Sequence, residues 1–161
     1  AVSDTSATIL DTRKTIPGLR LAQKYAVRCG GASHHRVVLF DAILIKENHI
    51  RAAGSISDAL QAAFRTAGTG VMIEVEVENL DELTEALAAG ARRILLDNFD
   101  NAALREAVAF NGGRAQLEAS GGVNLDTVRG IAQTGVDFIS VGRLTKNVSA
   151  TDFSMLFELT L

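Results

Sequence analysis

Apolar positions along the chain switch repeatedly between a period of two and a period near 3.6, so short strands and amphipathic helices are predicted to alternate. Ile9-Leu10 runs straight into Asp11-Thr12-Arg13-Lys14 and then Pro17-Gly18, which predicts a strand, two adjacent cations at its end and a helix start. Leu19, Ala22, Ala26 and Cys29 follow at helical spacing, with Gly30-Gly31 as the stop. Ala42 to Ile45 is a second strand, ending in Lys46-Glu47-Asn48-His49. Ser55 and Asp58 form a capping-box pattern ahead of a helix with Ile56, Ala59, Leu60, Ala63 and Phe64 as its buried stripe.

Met72 to Val77 alternates strictly, which puts Glu74 and Glu76 on one face and Ile73, Val75 and Val77 on the other. Both faces of a parallel barrel strand are covered, so at least one of these carboxylates has to point into the barrel mouth or lie near its rim. A helix from Leu80 to Ala89 capped by Asn79 comes next, then a strand ending in Asp97-Asn98, and a helix capped by Asp100 with Leu104, Ala107 and Val108 facing inward. The fifth strand, Gln116 to Ala119, meets Ser120-Gly121-Gly122 and a helix expected to start at Asn124, with Leu125, Val128, Ile131 and Ala132 as its stripe. The sixth, Phe138 to Val141, leads into Gly142-Arg143-Leu144-Thr145-Lys146. Phe153, Leu156 and Phe157 predict a closing helix.

Strands separated by single helices imply parallel pairing through right-handed crossovers. An open doubly wound sheet would concentrate function at one switch point, whereas here every strand ends in polar groups. The fold class predicted is therefore α/β, a parallel α/β barrel of about six strands, TIM-like and incomplete. The 161 residues are read as a single α/β-barrel domain and, because they open without a methionine, as a fragment of a longer chain.

Composition narrows the partners. A net charge of -3 without clustered basic residues excludes a nucleic-acid footprint. No apolar run approaches the ~20 residues that span a bilayer. The single cysteine, Cys29, lies on a helical apolar stripe and reads as a buried thiol in a reducing, cytoplasmic setting.

Two patterns carry chemistry. Ser120-Gly121-Gly122 before a helix, with Gly142 after the next strand, offers close backbone approach to an anion, as in barrels that hold phosphate between their last strands. Arg143 or Lys146 would add charge there. The second pattern is cationic: Arg13, Lys14, His35, Arg36 and Lys46 stand at or beside strand ends, and such convergence needs anionic ligands. Glu76 and Asp97 are the counterweight. Carboxylates at a phosphate site hold a sugar hydroxyl or a metal more often than they act on the phosphate.

Seven segments then align in order and spacing with one family: Leu10-Asp11-Thr12-Arg13-Lys14-Thr15, His35-Arg36, Leu44 to His49, Glu74 to Glu78, Leu95 to Phe99, Ser120-Gly121-Gly122, and Gly135-Val136-Asp137 with Val141-Gly142. The chain resembles the barrel domain of the quinolinate phosphoribosyltransferases over essentially its whole length. The resemblance implies transfer of phosphoribose from phosphoribosyl pyrophosphate to quinolinate with decarboxylation, giving nicotinate mononucleotide, pyrophosphate and carbon dioxide in NAD biosynthesis.

It also implies roles. Arg13, His35, Arg36 and Lys46 would surround the two quinolinate carboxylates. Lys14, Glu76 and Asp97 would be catalytic and hold phosphoribosyl pyrophosphate, with Mg2+ brought by that substrate near Glu76 and Asp97 rather than held by a dedicated ligand set. Ser120, Gly121, Gly122 and Gly142 match the family's phosphate loop, joined by Lys146. His34 falls outside the site by spacing, and His49 receives no role. A homodimer or higher homo-oligomer is implied, and so is an N-terminal α/β domain, absent here, that gives an arginine to the neighbouring subunit's site. Arg143 stands where relatives carry a small residue. The alternatives are a related phosphoribosyltransferase with another acceptor, against which the retained cations argue, and a non-catalytic phosphate-binding barrel fragment.

Overall fold

The computed structural model describes residues 1–158. Among these residues six strands, β1 (Thr8–Leu10), β2 (Ala42–Ile45), β3 (Met72–Val77), β4 (Arg93–Asp97), β5 (Gln116–Ser120) and β6 (Phe138–Ser140), form one all-parallel sheet in the order β1-β6-β5-β4-β3-β2. Consecutive strands are neighbours from β2 to β6, and β6 closes back onto β1. That cyclic order belongs to a barrel, since a flat sheet would need a β1–β2 connection crossing every strand. The barrel is split between β1 and β2. Ser33 alone occupies the gap, exchanging backbone hydrogen bonds with the β1 edge at Ile9 and Asp11.

Among the described residues seven helices accompany the strands: α1 (Arg20–Cys29), α2 (Glu47–Ala53), α3 (Ile56–Thr66), α4 (Leu80–Ala88), α5 (Asn101–Asn111), α6 (Val128–Ala132) and α7 (Arg143–Lys146). The expected caps are present: Ser55 accepts from the Asp58 N–H, Asn79 from Glu82, and Asp100 from Ala102 and Ala103. Val75, Val77, Ile94, Leu96, Leu117 and Ile139 point outward from the sheet onto Leu60, Leu83, Leu104 and Ile131, and this layer between sheet and helices is the hydrophobic core. The inward positions carry charge instead: Glu74, Arg93 and Glu118 are buried inside the barrel.

Several expectations change. Pro17-Gly18 does not start a helix; it forms a turn closed by the Leu19 N–H on the Ile16 carbonyl, with Gly18 at φ +78°. In α1 the buried residues are Lys24 and Val27, while Leu19, Leu21, Ala22, Tyr25, Ala26 and Cys29 are exposed. The ion pair of Lys24 with the buried Asp11 turns that face inward and overrides the apolar stripe. Helix α2 was not anticipated; the His49 ring accepts from the Lys46 N–H at its start, which gives His49 a structural role. Phe64 is 45% exposed. The helix expected from Asn124 begins at Val128, because the Asn124 side chain accepts from Asp126 and Thr127 in an intervening turn and leaves Leu125 outside. No helix closes the domain among the described residues: Phe153, Leu156 and Phe157 lie in irregular, exposed chain.

Candidate active site

The carboxyl ends of the strands gather two adjoining cavities. One, of about 470 Å³, is lined by Thr12, Lys14, Asp97, Asn98, Ser120, Gly121, Gly122, Ser140, Gly142, Arg143 and Lys146, among others. The other, of about 300 Å³, is lined by Thr12, Arg13, Lys14, His35, Arg36, Leu44, Lys46, Glu76, Leu95, Glu118, Ser120 and Ser140. They share Thr12, Lys14, Ser120 and Ser140. Each residue given a substrate- or phosphate-holding role from the sequence therefore lines one cavity or both.

The first cavity suits phosphate. Gly121 sits at φ +103°, and a Cβ there would collide with the Asn98 side chain and come within 2.9 Å of its backbone nitrogen. Asn98 is itself left-handed at φ 59°, so the two loops interlock. Among the described residues, the N–H groups of Gly121 and Gly122 meet no protein acceptor. The glycine loop does not abut α6, so these N–H groups and the flanking lysines, rather than a helix terminus, face this cavity. Lys14 and Lys146 converge above Gly142, their side chains 3.8 and 3.7 Å from the place its Cβ would take. Thr145 Oγ1 donates to the Lys14 carbonyl and pins the two loops together.

The second cavity is built around guanidinium groups. Arg13 Nε and Arg36 Nε are buried without a hydrogen-bond partner. Burial, and then the neighbouring Arg13, push the Arg36 guanidinium below its ordinary value. Two such cations side by side call for an anion. Lys46 reaches the opposite wall and pairs with Glu76.

Beneath lies a network that the sequence reading did not find. His35 Nε2 is 2.6 Å from Glu74 Oε2 and 3.4 Å from Glu118 Oε1, and Arg93 spans the two acids at 3.2 and 2.6 Å. The Phe138 ring packs 3.5 Å from the Arg93 guanidinium. Burial raises the Glu74 carboxyl, but the hydrogen bonds and charges of His35 and Arg93 outweigh it and leave it below the ordinary value. Burial and then the Glu74 charge push Glu118 up to about 7. A signal was present: Glu118 alternates in phase with Ser120, and Arg93 with Asp97, which put both on the site's face. A second hub, the buried Asp11, receives Lys24, the His34 ring at 2.8 Å and the His35 N–H at 3.1 Å. His34 thus belongs to this support and lines neither cavity.

The fold is thus a split parallel α/β barrel whose mouth joins a glycine-loop cavity flanked by lysines to a guanidinium-lined pocket. The chain belongs to the quinolinate phosphoribosyl transferase family, C-terminal domain, whose model matches residues 1–156. It is 46% identical over 154 residues to a probable nicotinate-nucleotide pyrophosphorylase [carboxylating] of Bacillus subtilis, covering 96% of this chain and 53% of that protein. Over 158 residues it is 48% identical to the Mycobacterium leprae nicotinate-nucleotide pyrophosphorylase [carboxylating], covering 96% and 55%. The solved structure of the Francisella tularensis nicotinate-nucleotide pyrophosphorylase superposes with TM-score 0.88 at 53% identity, covering 92% of this chain and 52% of that one. The chain spans about half the length of the curated relatives it matches.

Proposed function

We propose that this chain supplies the barrel of a quinolinate phosphoribosyltransferase, working in the cytoplasm as a homodimer or higher homo-oligomer. The observation that carries the reading is the junction of the two cavities: unpartnered guanidinium groups for a dicarboxylate stand against a cradle for phosphate, with Lys14 on the boundary. Quinolinate would lie against Arg13, His35, Arg36 and Lys46. Its carboxylates supply the acceptors that the two guanidinium groups lack.

Phosphoribosyl pyrophosphate would enter as its magnesium complex. Asp97 suits that complex, because Asn98 occupies only one of its oxygens and leaves the other to the cavity. Ser120, Gly121, Gly122, Gly142 and Lys146 would hold phosphate, while Lys14 faces the leaving pyrophosphate. As the bond from ribose C1 to pyrophosphate breaks, positive charge develops on the sugar, and Glu76 and Asp97 stabilise it. The ring nitrogen, oriented by the carboxylate–cation pairs, attacks C1. The resulting pyridinium draws the electron pair of the adjacent carbon–carboxylate bond, and carbon dioxide leaves.

The test is quinolinate binding, and nicotinate mononucleotide formation with magnesium, in the presence and absence of the N-terminal region that the family carries. Binding of both substrates with product formation in the completed protein supports the reading. A barrel that takes phosphoribosyl pyrophosphate but ignores quinolinate sinks it.

A further inference from the structure

The proposed reaction consumes a proton. When carbon dioxide leaves, the electron pair of the broken bond stays on the ring carbon, and a hydrogen must replace the carboxylate there. The structure holds a buried cluster with room for that proton, next to the acceptor pocket.

Inside the barrel, two carboxylates, Glu74 and Glu118, face one guanidinium, Arg93, and one imidazole, His35. Both acids are fully buried, so with both ionised the cluster is one proton short of neutral. Glu118 Oε1 has no hydrogen-bond partner, although it lies 3.4 Å from His35 Nε2. Among the described residues His35 Nδ1 has no partner either, and His35 forms part of the pocket wall. Burial and Glu74 already push Glu118 up to about 7. Arg13, Arg36, Lys14 and the Lys46–Glu76 pair line the same pocket, and while it is empty this surplus of positive charge opposes a further proton on the cluster. A bound dianion cancels that surplus, which raises the cluster's affinity for a proton.

We propose that the His35–Glu118 pair stores the proton the reaction consumes, loading it when the dicarboxylic acceptor binds and passing it from His35 Nδ1 to the ring carbon that loses carbon dioxide. In that step the Nδ1–H bond breaks and its electron pair remains on nitrogen. The carbanion pair forms the new C–H bond, and His35 is left neutral with Nε2–H on Glu74. Solvent reloads the pair with the next acceptor. His35 is the catalytic residue; Glu118 is a positioning residue that keeps the second proton on the imidazole. The inference rests on the quinolinate reading of this pocket.

The experiment is calorimetry of quinolinate binding near neutral pH, in buffers of different ionisation enthalpy, on the protein at its relatives' full length. Because Glu118 at about 7 leaves the cluster partly loaded at neutrality, uptake should be about half a proton per quinolinate there and approach about one on the alkaline side. In Glu118→Gln, uptake should vanish while quinolinate still binds. Its kcat should fall on the order of 10²-fold with little change in KM, and the limb of the pH profile near neutrality should disappear. Quinolinate binding without proton uptake in the unaltered protein overturns the inference whatever the variant does, and so does undiminished uptake in a folded Glu118→Gln. Failure to bind quinolinate at all would instead overturn the assignment of the pocket.

Discussion

Lys46 Nζ rests on Glu76 Oε2, so a cation assigned to the acceptor and a carboxylate assigned to the ribose donor are each other's partner across the pocket. With Lys46 46% exposed at its side chain, the pair is partly wet and readily parted, and incoming ligands would divide it. Removing Glu76 should therefore release Lys46 rather than disable it. Glu76→Ala is expected to weaken phosphoribosyl pyrophosphate about 10- to 100-fold, the loss of one charge-assisted contact, while quinolinate binds unchanged or tighter. Calorimetry with each ligand checks this, and equal loss of both would show that Glu76 serves the fold instead.

The dicarboxylate assignment makes a sharper demand on Arg36 and Lys46. Arg36→Ala and Lys46→Ala should each weaken quinolinate more than nicotinate, by about tenfold or more, since nicotinate offers a single carboxylate. Competition binding with the two acids reads the difference directly. A parallel loss for both would remove these residues from the carboxylate clamp.

The glycines of the phosphate loops should respond unequally. Gly121→Ala forces a side chain into a left-handed position against Asn98, and a destabilisation on the order of 1–3 kcal/mol is expected, with loss of phosphate binding. Gly142→Ala meets only ordinary contacts, at 3.6–3.8 Å, and should fold normally. Thermal melts of the two variants, side by side, decide whether the interlock is real.

Stability should depend on pH through Glu118. Its folded value, about 7, is raised, so the native state holds this proton more tightly than the unfolded chain does. The stabilisation is complete below the ordinary value of 4.5 and is lost as pH rises through about 7. Glu74 runs the other way, its contribution disappearing as pH falls below 4.5. Glu118→Gln should flatten the decline between about 4.5 and about 7, as read from denaturation midpoints. A slope unaltered by the substitution would assign the titration elsewhere.

Alone, the 161-residue chain is expected to turn over near background, and to associate through the exposed Leu21, Tyr25, Leu39 and Phe40. Activity should rise when the family's N-terminal region is supplied. Full turnover by the isolated chain, or a monomer at high concentration in light scattering, would contradict these expectations respectively.

The strands, their order along the chain and most helix caps were legible because period and cap chemistry are local. Glu74 and Glu76 could be assigned to one face by alternation, but nothing local announces that Arg93, a strand away, answers Glu74. The same blindness hid Lys24, whose inward turn depends on Asp11, thirteen residues earlier in sequence. Helix α1 was consequently read with the wrong face buried. Most of the candidate site residues lie at strand ends, which parallel barrels bring together, whereas His35 and Arg36 are carried by the segment after Ser33. The support beneath them is long-range and charged, and periodicity is silent about it.

The split between β1 and β2 gives Asp11 an unusual duty. Elsewhere around the barrel a ladder of backbone bonds fixes each strand to the next, but His34, His35 and Arg36 ride on a segment tied in by Ser33, by the Asp11 carboxylate and, through the His35 ring, by Glu74. Asp11 acts as a keystone: a single side chain takes the place of a strand edge, and Lys24 pairs with it from behind. A substitution there would leave the other strands paired while unfastening the wall against which the acceptor lies. Amide exchange should report that as faster opening confined to residues 33–36, with the rest of the barrel as slow as before.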